Sequence, residues 1–268
     1  MEENSFLFAF ALTVFAGLST GVGSVMAFFS KSFNHKFLAG ALGFSAGVMI
    51  YVSLVEIFAK AKDSLVVIYG TKQGYWITVL AYFVGMGVIA LIDKMVPSFE
   101  NPHEVKVIKS DAFEQDRKNK LMRMGVFSAL AIAIHNFPEG LATFIGALQN
   151  PAMGISIAVA VAIHNIPEGI AVSVPIYYAT GSKKRAFFYS FLSGFAEPVG
   201  AVVGFFLLKQ FFSEATFGVV FAAVAGIMVY ISLDELLPTA EEYGKHHVSI
   251  AGLIAGMMVM ALSLVLFA

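Results

Sequence analysis

Apolar residues run along this chain in long blocks separated by short polar clusters. A membrane-spanning helix needs about 20 consecutive, mostly apolar residues. Eight segments meet that length: 5–29, 37–59, 75–96, 124–147, 152–178, 186–208, 216–237 and 248–267. The pattern predicts an all-α polytopic membrane protein with eight transmembrane helices. It forms a single transmembrane domain over residues 1–268, with a polar linker at about 97–123. Gly17/Gly21, Gly43/Gly47, Gly200/Gly204 and Gly252/Gly256 have the spacing that lets helix backbones approach closely.

Composition agrees. Hydrophobic residues make up 58% of the 268 and charged ones only 13%, against roughly a quarter in soluble domains. So much apolar surface does not fit inside one soluble core, so the partner is the lipid bilayer. The net charge of −1 gives no basic field for nucleic acid. There is no cysteine, so any metal site must use His, Asp, Glu, Asn and backbone oxygens. The start, Met1-Glu2-Glu3-Asn4, lacks the basic opening of a secretory signal and reads as the lead into a retained first span.

Loop charge sets the orientation. With the N-terminus outside, thirteen Lys and Arg fall in inner loops and four in outer ones. Both termini are therefore expected outside, with the 97–123 linker in the cytoplasm.

The chain also repeats itself. Ala46 to Glu56 in the second span matches Ala225 to Glu235 in the seventh at an offset of 179. Gly17 to Phe29 aligns on Gly194 to Phe206 at an offset of 177. Spans 1–3 and 6–8 then form two copies that cross the membrane in opposite directions, the build of secondary carriers with a site near the midplane. Between them, Ala133-Ile134-His135-Asn136-Phe137-Pro138-Glu139-Gly140 matches Ala162-Ile163-His164-Asn165-Ile166-Pro167-Glu168-Gly169 at an offset of 29.

Ionisable groups within spans cost at least about 2.5–3.5 kcal/mol each at a helix centre and are functional suspects. His135, Glu139, His164, Glu168 and Glu197 all lie inside apolar stretches. His135 and Glu139 are four residues apart and share a helix face; Asn136 and Glu139 share the neighbouring edge. His164, Asn165 and Glu168 repeat this arrangement. Two such helices can present two imidazoles, two carboxylates and two amide oxygens to one cavity. Facing carboxylates repel unless protonated or bridged by cations, and this donor mixture suits Zn²⁺, Fe²⁺ or Mn²⁺. Pro138, Pro167 and Pro198 free the carbonyls of Ile134, Ile163 and Gly194, tolerated at membrane depth where they line a wet cavity. Glu197 adds a third carboxylate and room for a second metal bridged by Glu139 and Glu168.

These residues resemble the ZIP (Zrt/Irt-like) metal transporters, most closely the bacterial type, over the whole chain. The doubled His-Asn-x-Pro-Glu-Gly motif carries the likeness. The resemblance implies one metal on His135, Glu139, His164 and Glu168. It implies a second on Asn136, Asn165 and Glu197, with Glu139 and Glu168 bridging. It further implies import of Zn²⁺, Fe²⁺, Mn²⁺, Co²⁺ and Cd²⁺ through the bacterial cytoplasmic membrane, a homodimer, and an elevator-like movement of spans 1, 4, 5 and 6. Many relatives carry a His-rich third loop, whereas this one has only His103.

Glu56 is expected near the outer end of span 2, and Asp234 and Glu235 near the inner end of span 7. Helix-end solvation is their ordinary reading, and guiding ions through opposite mouths is the functional one. His246-His247 read as a solvated loop before a receiver of exiting metal. The rival from another class is an intramembrane zinc-dependent hydrolase, which keeps three protein ligands, an open water position and a separate base. The near two-fold symmetry here and the lack of a lone nucleophile argue against an enzyme. A proton- or sodium-coupled carrier of an organic solute is the second rival.

Overall fold

Gly70 alone joins the second and third spans. In the computed structural model it takes φ 78°, a backbone that a side chain disfavours, so one helix ends at Tyr69 and the next begins at Thr71. The structure describes residues 3–28, 35–95, 114–208, 213–243 and 246–267. Among them the order is α1 (Glu3–Ala27), α2 (His35–Tyr51), a π-helical segment (Val52–Ile57), α3 (Phe58–Tyr69) and α4 (Thr71–Met95). Then come α5 (Glu114–Gln149), α6 (Pro151–Thr180), α7 (Lys183–Gly194) and α8 (Ala196–Leu208). The chain closes with α9 (Glu214–Ile231), a second π-helical segment (Ser232–Leu236), α10 (Leu237–Tyr243) and α11 (His246–Phe267). No strand occurs among the described residues.

Among the described residues, eight stretches are long and apolar enough to cross a membrane, as expected. Three differ from the sequence boundaries for local reasons. The second runs Lys36–Tyr69, well past the expected 37–59, because the π-helical turn carries α2 directly into α3. Lys60 and Lys62 are therefore on a helix, not in a loop. The fourth span's helix starts at Glu114, inside the expected linker. Residues 96–113, including His103, lie outside the described residues. The sixth span is interrupted at Phe195, where Pro198 has no N–H to give the carbonyl of Gly194. By contrast, α5 and α6 run on through Pro138 and Pro167.

Lipid tails are as apolar as leucine, so packing and polar contacts, not expulsion from water, hold such helices together. The main seams are α1 with α6, α5 with α8, α2 with α11, α4 with α9, and α5 with α6. At several crossings a glycine lies directly against a partner's backbone. A Cβ on Gly23 would strike the carbonyl oxygen of Ile166, and one on Gly200 that of Phe137. Likewise Gly47 faces Leu253 and Gly226 faces Tyr82. In the first pair the second contact joins the sequence counterparts of the first, and in the second pair Gly226 is the counterpart of Gly47. The two π-helical segments also fall at matched positions, each with a serine on a carbonyl one turn back. Ser53 Oγ donates to Met49 O at 2.6 Å, and Ser232 Oγ to Met228 O at 2.8 Å.

Candidate metal site

α5 and α6 place their motifs at the middle of the bundle, and glycine sets how closely α1 and α8 approach. Gly140 follows Glu139 and lies against the carbonyl oxygen of Glu197 on α8. Gly169 follows Glu168 and lies against that of Thr20 on α1. Each carboxylate therefore sits one residue before a backbone crossing. A Cβ at either glycine would overlap the neighbouring helix backbone.

Six site side chains are sealed from the surface: Asn136, Glu139, His164, Asn165, Glu168 and Glu197 are each at most 1% exposed. Burying so many polar groups costs free energy unless they find partners, and they do so in four sets. His164 Nε2 lies 3.1 Å from Glu139 Oε2, joining the two repeated motifs across the α5–α6 seam. Asn165 Nδ2 donates to Glu197 Oε1 and to the carbonyl of Ala16 at 3.0 Å. The single O–H of Ser45 is shared between two acceptors, Glu168 Oε1 at 3.3 Å and His164 O at 3.2 Å. On the other motif, Asn136 Nδ2 donates to Ser193 O at 3.2 Å. Ala16 and Ser193 are sequence counterparts, so both asparagines anchor on matched carbonyls.

Four oxygens remain without a hydrogen-bond partner: Asn136 Oδ1, Glu139 Oε1, Asn165 Oδ1 and Glu197 Oε2. All are acceptors of the hard or borderline kind that bind divalent cations. Among the described residues, no three His, Asp or Glu side chains stand close enough to form a ready ligand set. The side chain of His135 lies outside the described residues.

The outlying candidates separate from this centre. Glu56 is half-buried in the first π-helical segment, with the helix continuing to Tyr69, so it is not a helix-end residue. Asp234 and Glu235 lie in the second π-helical segment. Such turns are frequent at functional sites. His246 Nδ1 sits 2.6 Å from Glu241 Oε1 on an exposed surface. Sequence reasoning passed over Ser45, which directly precedes the matched block of span 2. The signal for it was a hydroxyl amid apolar residues at the edge of that repeat, outside the His-Asn-x-Pro-Glu-Gly motifs.

An eight-span helical protein with ligand-type groups sealed at its centre is of the integral-membrane transporter class. The family model for the ZIP zinc transporter matches residues 98–264. The zinc transporter ZupT of Chlorobaculum parvum is 66% identical over 99% of this chain and 99% of its own. That of Chlorobium chlorochromatii is also 66% identical, over 100% of both chains, and that of Clostridium perfringens 59%, over 98% of this chain and 97% of its own. This chain belongs to the ZIP family of zinc transporters. It is a multi-pass membrane protein that transports divalent metal, and not an enzyme.

Proposed function

We propose that the protein imports zinc across a bacterial cytoplasmic membrane through a binuclear site made by the two motifs and Glu197, and that Fe²⁺, Mn²⁺, Co²⁺ and Cd²⁺ are further substrates. The supporting observation is the set of four buried acceptor oxygens without partners, beside a His164–Glu139 pair and a Glu168 carboxylate. His135, Glu139, His164 and Glu168 take one ion. Asn136, Asn165 and Glu197 take the other, with Glu139 and Glu168 shared. Loading requires small changes from the arrangement above. The Asn165 amide donates to Glu197 here and must turn its oxygen inward, a rotation that exchanges two nearly isosteric ends. An arriving cation then replaces the amide proton as the charge partner of Glu197.

The two copies, spans 1–3 and 6–8, are read as inverted repeats that exchange packing as access alternates. The matched glycine contacts and matched asparagine anchors support this reading. Both termini lie outside, the whole chain is one transmembrane domain, and two copies form the working homodimer. Glu56 at one mouth and Asp234 with Glu235 at the other lead ions to and from the centre.

The test is flux of each metal singly into proteoliposomes of the purified protein. Saturable zinc entry that competes with the other four metals is expected. Flux no faster than in empty liposomes overturns the reading.

A further inference from the structure

We propose that Ser45 is a positioning residue that holds Glu168 in the present arrangement and makes the two sides of the site unequal. The inference rests on the alternating, inverted-repeat reading above. Ser45 is fully buried on α2 and reaches across to α6, where its hydroxyl meets Glu168 Oε1 and His164 O. Its counterpart, at the offset of 179, is Val224 on α9, which has no polar atom to offer Glu139. One shared carboxylate is therefore tied to α2, and its repeat partner has no such tie to α9.

The packing is unequal in the same sense. The α2–α6 seam is the more extensive, and the α5–α9 seam is looser. Beside the looser seam lies an apolar cleft of about 410 Å³ lined by Ile89, Ile134, Phe137, Pro138 and Ile227. The equivalent contact on the tight side is filled: Val48, the counterpart of Ile227, and Met260 on α11 are both fully buried, and Pro167, the counterpart of Pro138, is buried. If the copies exchange packing, closing the α5–α9 seam brings Glu139 to Val224, where no hydroxyl replaces the one Glu168 gives up. The Ser45 bond thus favours the arrangement described here.

The chain has no cysteine, so single probes need no background changes. Ile134→Cys reports the cleft, and Ile163→Cys, its counterpart, reports the tight seam. Each is introduced separately into the parent, S45A, S45T and V224S, reconstituted, and labelled with a maleimide, with and without zinc. S45A removes the bond, and V224S supplies the missing hydroxyl to the opposite arrangement. Both are expected to lower the 134-to-163 labelling ratio on the order of threefold or more, the low end for a long bond to a carboxylate. S45T, which keeps the hydroxyl, stays within about twofold of the parent. Unchanged ratios in S45A and V224S, where zinc still moves both probes reciprocally, overturn the role of Ser45 alone. The same holds if S45T falls as far as S45A. Rates that zinc moves in no background overturn the alternating reading and the proposal with it.

Discussion

The imidazole of His164 on α6 meets the carboxylate of Glu139 on α5, Nε2 to Oε2 at 3.1 Å, with both groups sealed from the surface. This contact crosses between the two copies of the motif, so it couples the two helices that the proposed metal site would join. Glu139→Gln keeps the shape and the hydrogen bond to His164 but removes the charge. The variant should fold and run as the parent in size-exclusion chromatography. Its zinc uptake should fall by more than the roughly 10–100-fold typical of losing an outer-shell partner. Parent-like uptake in proteoliposomes would remove Glu139 from the ligand set.

Removing the imidazole acts differently. His164→Ala leaves Glu139 with two unpartnered oxygens, a penalty of about 1–3 kcal/mol for a buried acceptor. Metal rejoining the site still offsets that penalty through the carboxylates. Uptake of zinc should drop on the order of tenfold while a harder ion such as Mn²⁺ loses less, since the lost donor is the nitrogen. Uptake rates for the two metals, measured separately, check the ratio.

The architecture could be read almost completely from the sequence, because spans are long and lipid allows few alternatives. All eight appear as expected, and the matched motifs meet at the centre. The misplaced boundaries came from short-range effects that hydropathy does not register. At Val52–Ile57 a π-helical turn carries α2 into α3 and so past the expected end at residue 59, and at Gly70 one residue replaces an expected loop. The pairing within the site was legible only in part. Spacing puts Glu139 on the face of His135, but the choice of His164 as its partner depends on how α5 and α6 cross. Ser45 lies outside both motifs, and only the packing of α2 on α6 reveals its contact with Glu168.

Metal binding should stabilise the fold measurably, because a ligand that binds only the native state adds RT ln(1 + [L]/Kd), about 2.7 kcal/mol at a hundredfold excess over Kd. Zinc added to the chelator-treated protein in detergent should raise its melting temperature in a concentration-dependent way. Glu168→Ala, which removes a carboxylate assigned to both ions, should abolish most of that rise and nearly all transport. A full rise in the variant would place the stabilising ion elsewhere.

The close helix crossings make the sharpest structural prediction. Gly140→Ala would drive a methyl into the Glu197 carbonyl, and Gly169→Ala one into the Thr20 carbonyl, with backbone on the far side that cannot swing away. Each should cost at least the 1–3 kcal/mol or so usual for overpacking, and should shift α8 or α1 away from its carboxylate. Loss of thermal stability and loss of uptake should then appear together. Gly87 is the control, since it is exposed on α4 with nothing within 4 Å of an added Cβ. Gly87→Ala should leave uptake unchanged and raise stability by roughly 0.5–1 kcal/mol from helix propensity alone. Should Gly140→Ala and Gly169→Ala melt and transport like the Gly87 variant, the backbones do not cross where the site requires them to.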